Sequence, residues 1–305
     1  MQTILGSGGV IGNELSMSLL RYTTDIRQVS RNPQKVNQSD QIFAADLTSP
    51  DSVMKAVEGS EVVYLTVGLP YRTAVWKDKW PVIMENTINA CEAHKSKLVF
   101  FDNVYMYGQV KGKMTEETKL NPISKKGQVR AQIVSTFLNK IESGNIVGLV
   151  ARAADFYGPG SDKSVLAPTV FEKLSNKNKA IWLMNDKAVH SFTFTPDAGK
   201  ATADLGNTPE AFGQVWHLPT SDKPLTGKEW IEKIALAVDA EPKYQVISKF
   251  MVQLLGLFNK DMRELNEMLY QYQEDYIFDS TKFISQFWEP TSYEEGIRIT
   301  AESYL

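Results

Sequence analysis

The chain of 305 residues has a single cysteine, Cys91, so no intrachain disulfide can form, and this suits a reducing compartment. Its three histidines, His94, His190 and His217, are scattered, and with one cysteine they give no metal-ligand spacing. No apolar run is long enough to cross a bilayer. Met1 lies almost on the first predicted strand and leaves no room for a signal segment, so the expectation is a cytoplasmic protein. Neither sign of charge is in excess: the net charge of −3 argues against a nucleic-acid partner and against an anionic membrane partner. There is no internal repeat and no low-complexity segment. What remains is ordinary for a globular enzyme, because 43% hydrophobic and 23% charged residues match that class. The length suits a nucleotide-binding domain with a smaller companion, and a homodimer stays open.

The most informative stretch is at the start. Thr3-Ile4-Leu5 runs straight into Gly6, Gly9 and Gly12, a G-x-x-G-x-x-G pattern. Gly6 lets a strand turn sharply, Gly9 lets backbone approach a pyrophosphate, and Gly12 lets the next helix pack on the sheet. The helix predicted from Val10 to Arg21, with Val10 and Ile11 in its first turn, aims free N–H groups at phosphates. Strand before, apolar helix after and a second strand beyond are the context such a motif requires. The second strand, Ile26 to Ser30, ends 18 residues past Gly12 in Ser30-Arg31-Asn32-Pro33. An NAD site wants an acid here for the ribose 2′-hydroxyl, whereas a 2′-phosphate prefers an arginine. With no acid and with Arg31 beside the Ser30 hydroxyl, NADP(H) is the expected cofactor and NAD(H) the lesser one. The bland alternative leaves Arg31 as a solvated loop residue.

Strands and helices alternate onward. Gln41 to Ala44 is a third strand, Ser49 to Glu58 a helix with Pro50 in its first turn, and Glu61 to Val67 a continuous β-branched strand. A helix is expected over Trp80 to His94 with Pro81 near its start. Lys97 to Asp102 is a strand, Pro122 to Glu142 a long helix, and Ile146 to Ala151 a strand. The pattern predicts an α/β fold, a Rossmann-type doubly wound parallel sheet, with ligands beyond the carboxyl ends of its strands. Past Gly158-Pro159-Gly160 strands become sparse and apolar helices dominate. We therefore expect the nucleotide domain over 1–154 and 189–216, and a smaller, mostly helical substrate domain over 155–188 and 217–305. The apolar stretch from Ile247 to Tyr276 is read as core of that domain in preference to a partner surface.

Several motifs together resemble the extended short-chain dehydrogenase/reductase superfamily, in its NAD-dependent epimerase/dehydratase branch. Gly6-x-x-Gly9-x-x-Gly12 is similar to the family's nucleotide motif, and Asp46-Leu47 to the acid that touches the adenine amino group. Thr66-Val67-Gly68 resembles the turn beneath the cofactor, and Val104-Tyr105-Met106-Tyr107-Gly108 the end of strand five. Arg152 to Pro159, Phe192 to Asp197 and Trp288 to Thr291 resemble later signatures. The resemblance implies a hydride-transferring or epimerase-like enzyme on a small carbonyl or hydroxyl compound.

It also implies a catalytic Tyr-x-x-x-Lys and a Ser or Thr, which this chain does not have. The corresponding helix reads Lys126-Gly127-Gln128-Val129-Arg130, and the hydroxyl position holds Asn103, preceded by Asp102. Lys126 and Arg130 share a helix face. They form either a solvated basic patch with Lys125, or a site in which Arg130 clamps ribose or an oxyanion and Lys126 moves protons. Asp102 can neutralise one of the two. The Asn103 amide can donate to an oxyanion, and Tyr105, which the family pattern does not require, is a substitute acid unless it merely packs. His94 reads as a solvated helix cap and Asp197 as a helix N-cap. His190 and His217 can border the pocket. The expected function is an NADP(H)-binding oxidoreductase or epimerase/dehydratase-like enzyme with a non-standard site at Asn103, Tyr105, Lys126 and Arg130. The alternative is an NADP(H)-sensing regulatory protein without turnover, which is what loss of the Tyr-Lys pair predicts.

Overall fold

The computed structural model describes residues 1–305 and divides into two compact units. The first comprises 1–106, 126–153 and 198–218, and the second 107–125, 154–197 and 219–305. The segments 107–125 and 189–197 thus group with the second unit.

The first unit is built on a seven-stranded parallel sheet. Strands β1 (Gln2–Leu5), β2 (Ile26–Ser30) and β3 (Gln41–Ala44) run to one edge. On the other side of β1 lie β4 (Val62–Leu65), β5 (Lys97–Asp102), the strand Gly148–Arg152 and finally Val215–His217. Strand order reverses between β1 and β4, and that switch point is where such sheets hold ligands. β1 and β4 are buried at every position, as a strand covered on both faces must be.

Helix α1 (Val10–Leu19) follows β1 with Gly9 as its N-cap. Helix α2 (Pro50–Val57) is capped by the Ser49 hydroxyl, which accepts from Ser52 N–H, and Pro50 fits its first turn, where no N–H is needed. Helix α3 spans Thr73–His94, so Pro81 lies inside it and not near its start. The expected start at Trp80 is wrong by two turns. The polar first turns lack a capping side chain at Arg72, and tertiary packing of Trp76 and Trp80 holds the helix through the proline. Helix α4 (Lys125–Glu142) starts three residues later than Pro122.

The second unit has four two-stranded ladders besides its helices, and these include Asp155–Tyr157 paired with Phe192–Phe194. Its core gathers Tyr157, Phe192, Trp230, Ile231, Tyr293 and Ile297. Asp197 is not an N-cap: the helix begins at Thr195, and the Asp197 carboxylate accepts from the N–H and hydroxyl of Thr291. The core reading of Ile247 to Tyr276 holds only in part. Val252, Met268, Leu269 and Tyr272 are buried, but Phe250, Leu254, Leu257 and Phe258 face solvent.

Candidate nucleotide site and the altered catalytic helix

The glycine turn joins β1 to α1 at the switch point. Gly6 has φ +103°, and a Cβ there would lie 2.3 Å from the Val67 Cα, so only glycine fits. Gly12 brings the helix onto the turn, where an added Cβ would sit 3.4 Å from the Gly6 carbonyl. Gly9 and Gly8 differ: nothing lies within 4 Å of a Cβ at either position. Gly8, with φ +88°, is a fourth glycine that the three-point motif does not mark. The first helical bond runs from Asn13 N–H to the Gly9 carbonyl, and no acidic side chain stands in the first turn of α1. The amides before it therefore precede the helical ladder, at the positive end of the helix dipole. The Ser7 hydroxyl beside them is buried with no hydrogen-bond partner. An open cradle, unclaimed amides and an orphaned hydroxyl fit a pyrophosphate.

Around the cradle, the Thr66 N–H donates to the Leu5 carbonyl, which continues the β1–β4 pairing to the edge of the turn, with Val67 against Gly6 and Gly68 open to added bulk. Arg31 is exposed at the end of β2, and the half-buried Ser30 accepts from Ala45 N–H. The Asp46 carboxylate accepts from the Thr48 N–H and hydroxyl, and these two bonds hold its carboxyl below the usual carboxylate range, with Lys79 and Arg31 adding attraction. Leu47 is buried, and its carbonyl accepts from the Asn86 amide.

The end of β5 and the start of α4 carry the altered machinery. Lys126 is fully buried and Arg130 is 3% exposed, so the solvated basic patch does not hold, and only Lys125 beside them is exposed. The Arg130 Nε donates to Asp102 Oδ1 at 2.9 Å, and its Nη2 closes on the same oxygen. Its guanidinium lies over the Trp80 ring at 4.4 Å and the Phe100 ring at 4.9 Å. Arg152 donates to the other Asp102 oxygen through Nε at 3.2 Å and Nη2 at 3.1 Å. Asp102 is thus a buried carboxylate between two arginines, one from α4 and one from the neighbouring strand. The Lys126 ammonium stands over the Tyr71 ring at 4.4 Å, a cation–π contact. Tyr105 stacks on Trp76, and the Asn103 side-chain oxygen Oδ1 accepts from Tyr105 N–H and caps the turn that follows it. The indole N–H groups of Trp76 and Trp80 are buried without an acceptor.

Asn103, Tyr105, Lys126 and Arg130 all fall in the first unit, as do the glycine turn, Arg31 and Asp46. Sequence reasoning missed Arg152 as a partner of Asp102 and missed the aromatic residues Tyr71, Trp76 and Trp80. The available signal was the gathering of three aromatics within ten residues, Tyr71, Trp76 and Trp80. His94 meets the Met54 carbonyl at 3.1 Å, and His217 is buried on its strand. His190, in the second unit, pairs with Asp155 at 3.0 Å beneath stacked Tyr272 and Tyr276. No cluster of His, Cys, Asp and Glu fits a metal ion.

A profile of the NAD dependent epimerase/dehydratase family matches residues 3–215. The chain belongs to that family. Comparison with curated proteins found no match. Among solved structures, the epimerase/dehydratase fold recurs in UDP-glucose 4-epimerase of Thermus thermophilus in complex with NAD, at 17% identity and a TM-score of 0.80, with 100% of this chain and 99% of that one covered. A dTDP-glucose 4,6-dehydratase from Streptomyces venezuelae, with NAD bound, aligns at 13% identity and a TM-score of 0.81 over 100% and 96% of the two chains. UDP-glucuronic acid 4-epimerase from Bacillus cereus, in complex with NAD, aligns at 14% identity and 0.80 over 100% and 98%. At these identities the likeness is one of fold. No helix of the chain is long and apolar enough to cross a membrane.

Proposed function

We propose that this family member is a cytoplasmic NADP(H)-binding protein that responds to the nucleotide without the family's hydride chemistry. The observation that carries the reading is the state of Arg130. It stands where the resemblance expects the ribose-holding lysine, yet its donors meet Asp102 and its face covers Trp80 and Phe100. Lys126, in the tyrosine's place, is a buried cation on Tyr71. A phenol that loses and regains a proton is replaced by groups that hold the end of β5 together.

In this reading the first-turn amides of α1 and the Ser7 hydroxyl hold the pyrophosphate, Asp46 and Leu47 border the adenine, and Ser30 and Arg31 take the 2′-phosphate. Arg31 is exposed at the end of β2, where a phosphate can reach it. NADPH should therefore bind more tightly than NADH. Arg31→Ala should remove about 1.5–3 kcal/mol of that preference, the scale of a hydrogen bond to a charged group. Calorimetric titration with both nucleotides checks this, and equal affinities in the parent would contradict it.

A second reading, an oxidoreductase on a small carbonyl compound, is favoured by one observation. The orphaned indole donors of Trp76 and Trp80 stand in the same cluster as Tyr105 and Arg130, where a carbonyl oxygen would complete them. The two readings separate at α4. If Arg130 is structural, Lys126→Met and Arg130→Met should leave NADPH affinity within about twofold of the parent while lowering stability. If it is catalytic, the parent should oxidise NADPH with a suitable carbonyl compound, Lys126→Met should abolish that turnover, and Arg130→Met should also weaken nucleotide binding.

A further inference from the structure

Neighbouring parallel strands need a crossover to bring the chain back, ordinarily about a dozen residues or more and built as a helix. β2 ends at Ser30 and β3 begins at Gln41, with Arg27 opposite Gln41 and Ser30 opposite Ala44, so the crossover between them is residues 31–40. It contains no helix. Such a segment has no hydrogen-bond ladder of its own, and its first residue is Arg31. What holds it is a carboxylate at its other end.

Asp40 is 1% exposed, out of reach of any ligand. Its Oδ2 accepts from Val36 N–H at 3.1 Å, Asn37 N–H at 2.9 Å, the Gln28 amide at 2.8 Å and the Ser16 hydroxyl at 3.2 Å. Its Oδ1 accepts from the Asn37 amide at 3.2 Å. The same amide donates to the Ser16 carbonyl at 3.1 Å and to the Ser16 hydroxyl at 2.9 Å. One side chain thus ties the crossover to α1, through Ser16, and to β2, through Gln28. Every one of these donors is neutral, so hydrogen bonds satisfy the buried charge, as an acceptor-only group allows. The Gln28 Oε1 is left buried without a donor, so the carboxylate decides which end of that amide faces it. Lys35, the other cation of the crossover, donates to the Gln38 carbonyl at 3.0 Å and stays within the segment. Arg31 stands exposed at its start.

We propose that Asp40 is the positioning residue for recognition of the 2′-phosphate: it folds the helix-free crossover onto α1 and β2, so that the backbone leaving Arg31 is set before the nucleotide arrives. The inference rests on the reading of Arg31 as the residue that takes that phosphate. Ordering a loose segment at the moment of binding costs conformational entropy, and a segment already closed on a buried carboxylate does not incur it. The gain falls on NADPH alone, because NADH has no phosphate for Arg31 to meet. Discrimination between the two nucleotides therefore depends on a side chain that touches neither.

Calorimetric titration of the full chain with NADPH and with NADH tests this, the readout being the ratio of the two affinities. Asp40→Ala should lower NADPH affinity about tenfold and leave NADH within about twofold of the parent. Asp40→Asn keeps an amide oxygen for the four donors at Oδ2 and should retain most of the ratio. Asn37→Ala removes the tie to Ser16 but leaves the carboxylate in place; it should lower the ratio about threefold, and it decides the question if Asp40→Ala does not fold. In an Arg31→Ala background, Asp40→Ala should change the ratio by less than about twofold, because the two residues act through one contact. A parent preference that Asp40→Ala and Asn37→Ala both leave intact overturns this inference and spares the Arg31 reading. Equal weakening of both nucleotides also overturns it, since a purely structural role does that. So does a gain in NADPH affinity in Asp40→Asn, which would mean that the charge only repels the phosphate. Equal affinities in the parent overturn the Arg31 reading and this inference together.

Discussion

Asp102→Asn should lower the unfolding free energy by about 3–5 kcal/mol, the cost of removing one partner from a buried ion pair. Asparagine has nearly the same shape, so the loss is one of charge and not of packing. The parent carboxylate is fully buried and meets two guanidinium groups, Arg130 at 3% and Arg152 at 2% side-chain exposure. Without it, both cations stay out of water and lose the carboxylate they share. Because Asp102 ends β5 and Arg152 ends the strand beside it, the damage falls on the sheet itself. Urea unfolding of the two proteins measures the difference. A loss below about 1 kcal/mol, the scale of a solvent-exposed pair, would show that the cluster is hydrated and free to serve another role.

The second large effect is on binding. Gly9→Val should leave the fold intact and reduce nucleotide affinity on the order of a hundredfold or more, because a branched side chain fills the space that the pyrophosphate needs. The geometry separates the two outcomes. Gly9 has φ −88° and ψ 160°, a conformation that valine adopts freely, and its Cβ would meet nothing within 4 Å. Gly6 is the contrasting control. A side chain there collides with Val67 backbone at a positive φ, so its variants should fail at folding. A folded Gly9→Val protein with unchanged affinity in calorimetry would mean that the phosphates lie elsewhere.

Much of the first unit was legible because its signals are local. β2, β3 and β5 match the sequence boundaries to the residue, since short runs with apolar or aromatic residues between polar turn segments leave little choice of end. The glycine turn was legible for the same reason, although Gly8 escaped a motif that marks only three positions. The start of α3 was not legible: proline normally marks a beginning, and here contacts of Trp76 and Trp80 carry the helix across it. The partners of Asp102 were half legible. Spacing put Lys126 and Arg130 on one face, but which of them Asp102 would meet, and the arrival of Arg152 from an adjacent strand, depend on strand pairing distant in sequence. Periodicity marked 247–276 as apolar and helical, yet it does not say whether an apolar face is covered. At Leu257 and Phe258 it is not.

The central claim, nucleotide binding without hydride transfer, is tested most directly by a single-turnover experiment on the parent protein. Protein loaded with one equivalent of NADPH is mixed in a stopped-flow instrument with a panel of small carbonyl compounds and nucleotide sugars, and nicotinamide fluorescence is followed. The account predicts an enhanced fluorescence on binding that then stays constant with every compound. Decay of that signal with any one of them, absent in Lys126→Met, would show that the buried lysine takes part in catalysis and that the chain is an oxidoreductase.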